Sequence, residues 1–168
     1  LWRRSSSQDE CIWRGLSWVL NQQDKDGAFP SSWFEGPVYS TAQVLELLSK
    51  WKISWRSRNM ARQILGSRTK AQKFLMKAQN SDGGWGSVVE TSLALAGLWN
   101  NKKIASGEAM DRGIRNLLIN QNSKGSFEPS YQGVYAKRWN YEEPLTTALT
   151  AIRALQRFQS LQKKSFLR

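Results

Sequence analysis

The chain contains no histidine and one cysteine, Cys11. Without imidazole, neither a Ser-His-Asp triad nor a Cys-His pair can be assembled from these residues. A zinc site would need carboxylates and Cys11 alone, a poor donor set for that metal, so no metal and no cofactor are expected. A lone cysteine excludes an internal disulfide and fits a reducing, cytoplasmic setting. No apolar run is long enough to cross a bilayer. The first ten residues hold Trp2-Arg3-Arg4 and a serine run but no apolar stretch, so a secretory leader is not expected. Proline is sparse, at 4 of 168 residues, and no Pro-rich linker divides the chain. One domain over residues 1–168 is therefore expected.

What is abundant is tryptophan and positive charge. Nine tryptophans in a chain that is 40% apolar supply ample area for a core. Lys and Arg number 25 against 13 acids, for a net charge of +12. Such a balance favours an acidic partner, either nucleic acid or an acidic protein surface, unless it only keeps the protein soluble.

The chain repeats itself. Residues 15–29, 71–85 and 113–127 align without gaps: a small residue, Gln eight positions later, Gly four beyond that, and an aromatic after two more. The marks are Gln23, Gly27 and Phe29; Gln79, Gly83 and Trp85; Gln121, Gly125 and Phe127. Apolar residues at helical spacing precede each Gln, such as Leu16, Val19 and Leu20, or Phe74, Leu75 and Ala78. Asp, Asn or Ser ahead of the Gly then signals a stop and a turn. The Gln amide can satisfy backbone groups left open at the helix end, a structural role.

A second helix follows each turn, over about 40–48, 90–98 and 146–155. Thr41, Thr91 and Thr147 mark its start, where a hydroxyl suits an N-terminal cap. The repeats span about 10–52, 68–103 and 110–158. Their glutamines stand 56 and 42 residues apart, and the surplus in the first interval, residues 53–68, predicts a short linking helix. The third repeat carries a long internal loop over 128–143. The fold class is all-α, three helical hairpin repeats.

These residues resemble the QW repeats of squalene-hopene and oxidosqualene cyclases and the related prenyltransferase repeat, over about residues 10–158. The most specific stretch is Gln79-Asn80-Ser81-Asp82-Gly83-Gly84-Trp85 followed by Glu90-Thr91-Ser92. The resemblance implies an (α/α) toroid with inner and outer helix rings. Three hairpins make only part of such a ring, so a protein partner or a homo-oligomer is expected to cover the open faces.

The resemblance also sets a test for chemistry. The cyclases carry a D-x-D-D-T-A motif whose middle Asp protonates an alkene or epoxide, which needs a strong acid in an apolar cavity. The matching stretch here is Ser87-Val88-Val89-Glu90-Thr91-Ser92, with Val89 at the protonating position. Glu90 is the one acid there and the sole catalytic candidate; otherwise no catalytic residue is assigned. The Asp, Cys and His zinc site of the prenyltransferases cannot be carried over without His. Asp24-Lys25-Asp26-Gly27 loosely resembles part of a calcium loop but lacks its other ligands, and reads as a turn.

Two groups remain as binding candidates. The aromatics Trp33, Phe34, Trp85, Phe127, Tyr131, Tyr135, Trp139 and Tyr141 could line a cavity, as such rings do in the cyclases, or simply fill the hairpin core. Residues 50–73 hold eight basic side chains and no acid, among them Lys50, Lys52, Arg56, Arg58, Arg62 and Arg68. With Trp51 and Trp55 interleaved they could hold phosphates and stack a base, or form a solvated face. Three functions follow in order: a non-catalytic repeat module that binds a partner or completes an assembly, a piece of a terpenoid cyclase or prenyltransferase-like enzyme acting on an isoprenoid, and a basic nucleic-acid-binding module.

Overall fold

Three Gln–Gly turns reverse the chain and set its architecture. The computed structural model describes residues 6–32, 36–51, 58–105, 107–128, 131–135 and 139–165. For 6–9, 102, 131–135, 139–142 and 161–165 only the backbone is described. The first hairpin joins α1 (Ser6–Asn21) to α2 (Val38–Lys50), and the second joins α3 (Arg58–Lys77) to α4 (Val88–Leu98). After a short α5 (Lys102–Ala105), the third joins α6 (Glu108–Ile119) to α7 (Pro144–Ser165). The helices α2, α4 and α7 lie side by side with α4 in the middle, α3 and α6 back them, and α1 rests on α3. No described helix is long and apolar enough to cross a membrane.

Each turn is built the same way. Gly27, Gly83 and Gly125 adopt φ of 98°, 88° and 83°, a region closed to most side chains. The N–H groups of Asp24, Asn80 and Asn122 donate to the carbonyls of Ala28, Gly84 and Ser126, each at 2.8 Å. Asp26 and Asp82 accept from the N–H of Ala28 and Gly84, at 3.0 and 2.9 Å. Asp26 is thus an ordinary turn acid, and among the described residues no cluster suited to a metal ion occurs. The glutamine clasps its own turn: the Nε2 groups of Gln23, Gln79 and Gln121 donate to the carbonyls of Gly27, Gly83 and Gly125, at 3.0, 2.8 and 2.9 Å.

The aromatics that follow the first and second turns are pinned from the inner helices. The N–H of Phe29 donates to Thr41 Oγ1 at 2.8 Å, and that of Trp85 to Thr91 Oγ1 at 3.0 Å. These threonines are fully buried and sit one turn inside their helices, so they are not the caps that their position in the sequence predicts. The cap of α4 is Ser87, and α2 begins at Pro37 with no side-chain cap bond. The hydroxyl is recruited instead by an otherwise unpaired N–H in the preceding turn, a tertiary partner with no local signature.

The core is continuous across the hairpins. Leu45, Leu75, Leu95, Leu98, Met110 and Leu117 are fully buried. Each such side chain contributes about 1.5–3 kcal/mol through lost water contact. The central helix α4 has no fully exposed residue: Val88, Val89, Thr91, Ser92, Ala94, Leu95, Gly97 and Leu98 are all buried, and Glu90, Leu93 and Ala96 are half-buried. A Cβ at Gly97 would come within 2.9 Å of the Ala42 carbonyl, so a small residue here lets α2 and α4 approach closely.

Two segments depart from expectation. Among the described residues, 58–68 of the segment that predicts a separate linking helix form instead the first turns of α3, continuous through Gly66. Gly66 meets nothing that would disturb the helix. The long loop of the third repeat contains an antiparallel ribbon, β1 (Tyr131–Tyr135) with β2 (Trp139–Glu142), pairing Tyr131 with Glu142 and Tyr135 with Trp139. Its aromatic composition favours extended backbone. The ribbon decorates one loop of an otherwise helical architecture.

Candidate functional site

The start of α4 is where the resemblance places catalytic chemistry. Ser87 Oγ accepts from the Glu90 N–H at 3.2 Å, and Glu90 Oε2 accepts from the Ser87 N–H at 2.9 Å. This reciprocal pair is a capping box, and it ties the Glu90 carboxylate to one backbone donor, the Ser87 N–H. Val89, at the protonating position, is 2% exposed and aliphatic. Ser92 Oγ donates to the Val88 carbonyl at 2.6 Å. The one acid of the segment, Glu90, is half-buried in its helix cap.

The groove beside this helix is charged. A cavity of about 370 Å³ runs over α4 between α2 and α7, floored by Ser92, Leu93 and Ala96 and flanked by Glu46, Lys50, Arg153 and Arg157. Glu46 Oε1 accepts from Lys50 Nζ at 2.7 Å and from Arg157 Nη2 at 2.8 Å. Burial pushes the Glu46 carboxyl up, but hydrogen bonds from Lys50 and Arg157, with their charges, outweigh it and hold the group below the ordinary carboxylate range. Such a groove suits polar contacts better than a bare hydrocarbon. Arg153 and Arg157 are absent from the sequence-based candidates, although their one-turn spacing on α7 is visible in the sequence.

The aromatic candidates divide. Trp85 is 2% exposed and its Nε1 donates to the Leu75 carbonyl at 2.6 Å, which anchors the second turn to α3. Phe127 is buried in the same cluster. Trp33 and Phe34 lie outside the described residues, as do the side chains of Tyr131, Tyr135, Trp139 and Tyr141. The basic candidates are dispersed: Arg58 and Arg62 are exposed one turn apart on α3, Arg68 is half-buried, and Lys50 is paired with Glu46 one turn earlier on α2. Lys52 and Arg56 lie outside the described residues.

With this geometry in view, relatives place the chain. A model of the squalene-hopene cyclase C-terminal domain matches residues 3–93, more than half of the 168. A terpentedienyl-diphosphate synthase of Kitasatospora griseola is 34% identical over 95 residues, covering 54% of this chain and 17% of that protein. A squalene hopane cyclase of Aspergillus fumigatus is 26% identical over 155 residues, covering 80% of this chain and 20% of its own length. Human lanosterol synthase is 27% identical over 176 aligned residues, 94% of this chain and 23% of the synthase. The chain thus spans about a quarter or less of the length of these relatives. The repeated Gln–Gly turns, the layered hairpins and the matched span together make this chain a member of the squalene-hopene cyclase C-terminal domain family.

Proposed function

We propose that this chain is a non-catalytic squalene-cyclase-like repeat module that binds a protein partner or completes a larger assembly. One observation carries the reading. At the position where the resemblance puts the proton donor stands a buried valine, Val89, and the neighbouring Glu90 carboxylate is held by the Ser87 backbone in a helix cap. Protonation of an alkene needs a free, strongly acidic carboxyl facing an apolar cavity. The charged groove over α4 is the opposite environment. The exposed thiol of Cys11 is in keeping with a reducing, cytoplasmic setting.

A second reading is favoured by the relatives' names and by the small share of their length that this chain spans. On that reading the module is one part of a terpenoid cyclase acting on an isoprenoid, with its acid on other chain. Incubation of the full-length gene product with squalene, oxidosqualene and a linear isoprenyl diphosphate separates the two, with products read by gas chromatography and mass spectrometry. No cyclised product is expected. Formation of a cyclised product would overturn the non-catalytic reading.

A further inference from the structure

Helices α3 and α6 each offer one face to the Gln–Gly turn of the preceding hairpin. Counted back from each helix's own glutamine, that face comprises the residues at twelve, nine, eight and five positions: Ser67, Lys70, Ala71 and Phe74 on α3, and Ala109, Arg112, Gly113 and Asn116 on α6. The Ser67 carbonyl accepts from Gln23 Nε2 at 3.0 Å, and the Ala109 carbonyl from Gln79 Nε2 at 2.7 Å. Backbone lies against the turn glycines, so that a Cβ on Gly83 would come within 2.8 Å of the Arg112 carbonyl and one on Gly27 would overlap that of Lys70. A Cβ on Gly113 would strike the Trp85 ring at 2.8 Å. Arg112 Nη2 donates to the carbonyls of Asn80 and Ser81, at 2.8 and 3.0 Å.

The same face recurs on α1 at the same offsets from Gln23: Cys11, Arg14, Gly15 and Trp18. Here all four are exposed, Trp18 to 66%. A Cβ on Gly15 would meet nothing within 4 Å. Among the described residues, nothing covers the complementary half on the third turn. Gln121 Nε2 donates to Gly125 and, among the described residues, to no second carbonyl. Among the described residues, nothing but that Nε2, at 3.9 Å, stands within 4 Å of a Cβ on Gly125.

We infer that α1 of one copy seats on the 121–127 turn of a second copy, head to tail. This deepens the assembly reading proposed above by naming the surface and its occupant. One chain carries both halves of a joint that it already makes twice within itself, with the same carbonyl, cation and small-residue offsets. In the seat, Gln121 Nε2 donates to the Cys11 carbonyl of the second copy. Arg14 of the second copy reaches the Asn122 and Ser123 carbonyls, and its Gly15 clears space beside Phe127. The joint is heterologous, so it leaves one open face at each end for further copies until the row closes into a ring.

Sedimentation velocity over a concentration series tests this, at moderate salt that screens the repulsion between copies of net charge +12. Mass is expected to rise with concentration. Gly15→Lys, at an exposed helical site with room for the side chain, should keep the helical circular dichroism and weaken association by about tenfold or more. Ser126→Trp should block the turn instead. A mixture of the two variants should form one-to-one dimers that grow no further, since each keeps one intact half. A wild-type chain that stays monomeric throughout, or association unchanged in Gly15→Lys, would overturn the inference. Turnover of an isoprenoid would sink the non-catalytic reading and leave these masses unaffected, so the two failures are distinguishable.

Discussion

The second and third Gln–Gly turns share residues and internal bonds but differ in surroundings. Gln79 clasps its own turn and also bonds the Ala109 carbonyl of the next hairpin. Gln121 makes the first of these bonds only, and is exposed. The aromatics behave otherwise: Trp85 and Phe127 are both buried. The motif therefore combines two devices. The glycine and aromatic close a hairpin on itself whatever lies beyond, while the glutamine's second donor and the bare glycine surface join one hairpin to the next.

The largest test of this division is Trp85→Ala. It empties a buried site and strands the Leu75 carbonyl that now accepts from Nε1, so a loss of about 4–5 kcal/mol is expected in urea unfolding. Phe127→Ala should cost about 3 kcal/mol, having no hydrogen bond to lose. A larger loss at Phe127 would break the comparison. Next comes the glutamine pair. Gln79→Ala leaves two carbonyls without their amide donor and should cost about 2 kcal/mol, against less than about 1 kcal/mol for Gln121→Ala. Equal melting-temperature shifts would mean that the bond between hairpins contributes nothing.

The smallest effect concerns pH. The folded Glu46 carboxyl sits below the ordinary carboxylate range, so its contribution is fully present above the unfolded pKa and is lost as pH falls through the lower, folded value. Stability should therefore decline as acid protonates Glu46, and Glu46→Gln should flatten that part of the profile. An unchanged acid limb in the variant, followed by thermal unfolding from neutral pH downward, would show that the pair in the groove is not coupled to folding.

The hairpin architecture was legible because Gln, Gly and aromatic recur at fixed spacing and the glycine needs positive φ. That an aliphatic side chain, Val89, stands where the resemblance puts the proton donor was equally plain in the residues themselves. The role of Thr41 and Thr91 was not legible: each accepts from a backbone N–H in the preceding turn, and a backbone donor leaves no trace in residue type. For the same reason the carbonyls of Ser67 and Ala109 could not be named as glutamine partners beforehand. The start of α3 was misjudged as a separate helix because counting between glutamines measures the interval and not where a helix begins. The groove was missed because Glu46 and Arg157 stand 111 residues apart and meet only through packing.

That last pair has a consequence for how the molecule comes apart. Arrays of stacked hairpins tend to unravel from either end, each unit answering only to its neighbour. Here Arg157 reaches past the middle hairpin and grips Glu46 of the first. Loosening either terminal unit also releases a tie on the opposite one, which makes melting more all-or-none than three stacked pieces would be. The same strap ties the two flanking members of the α2–α4–α7 row to each other across α4.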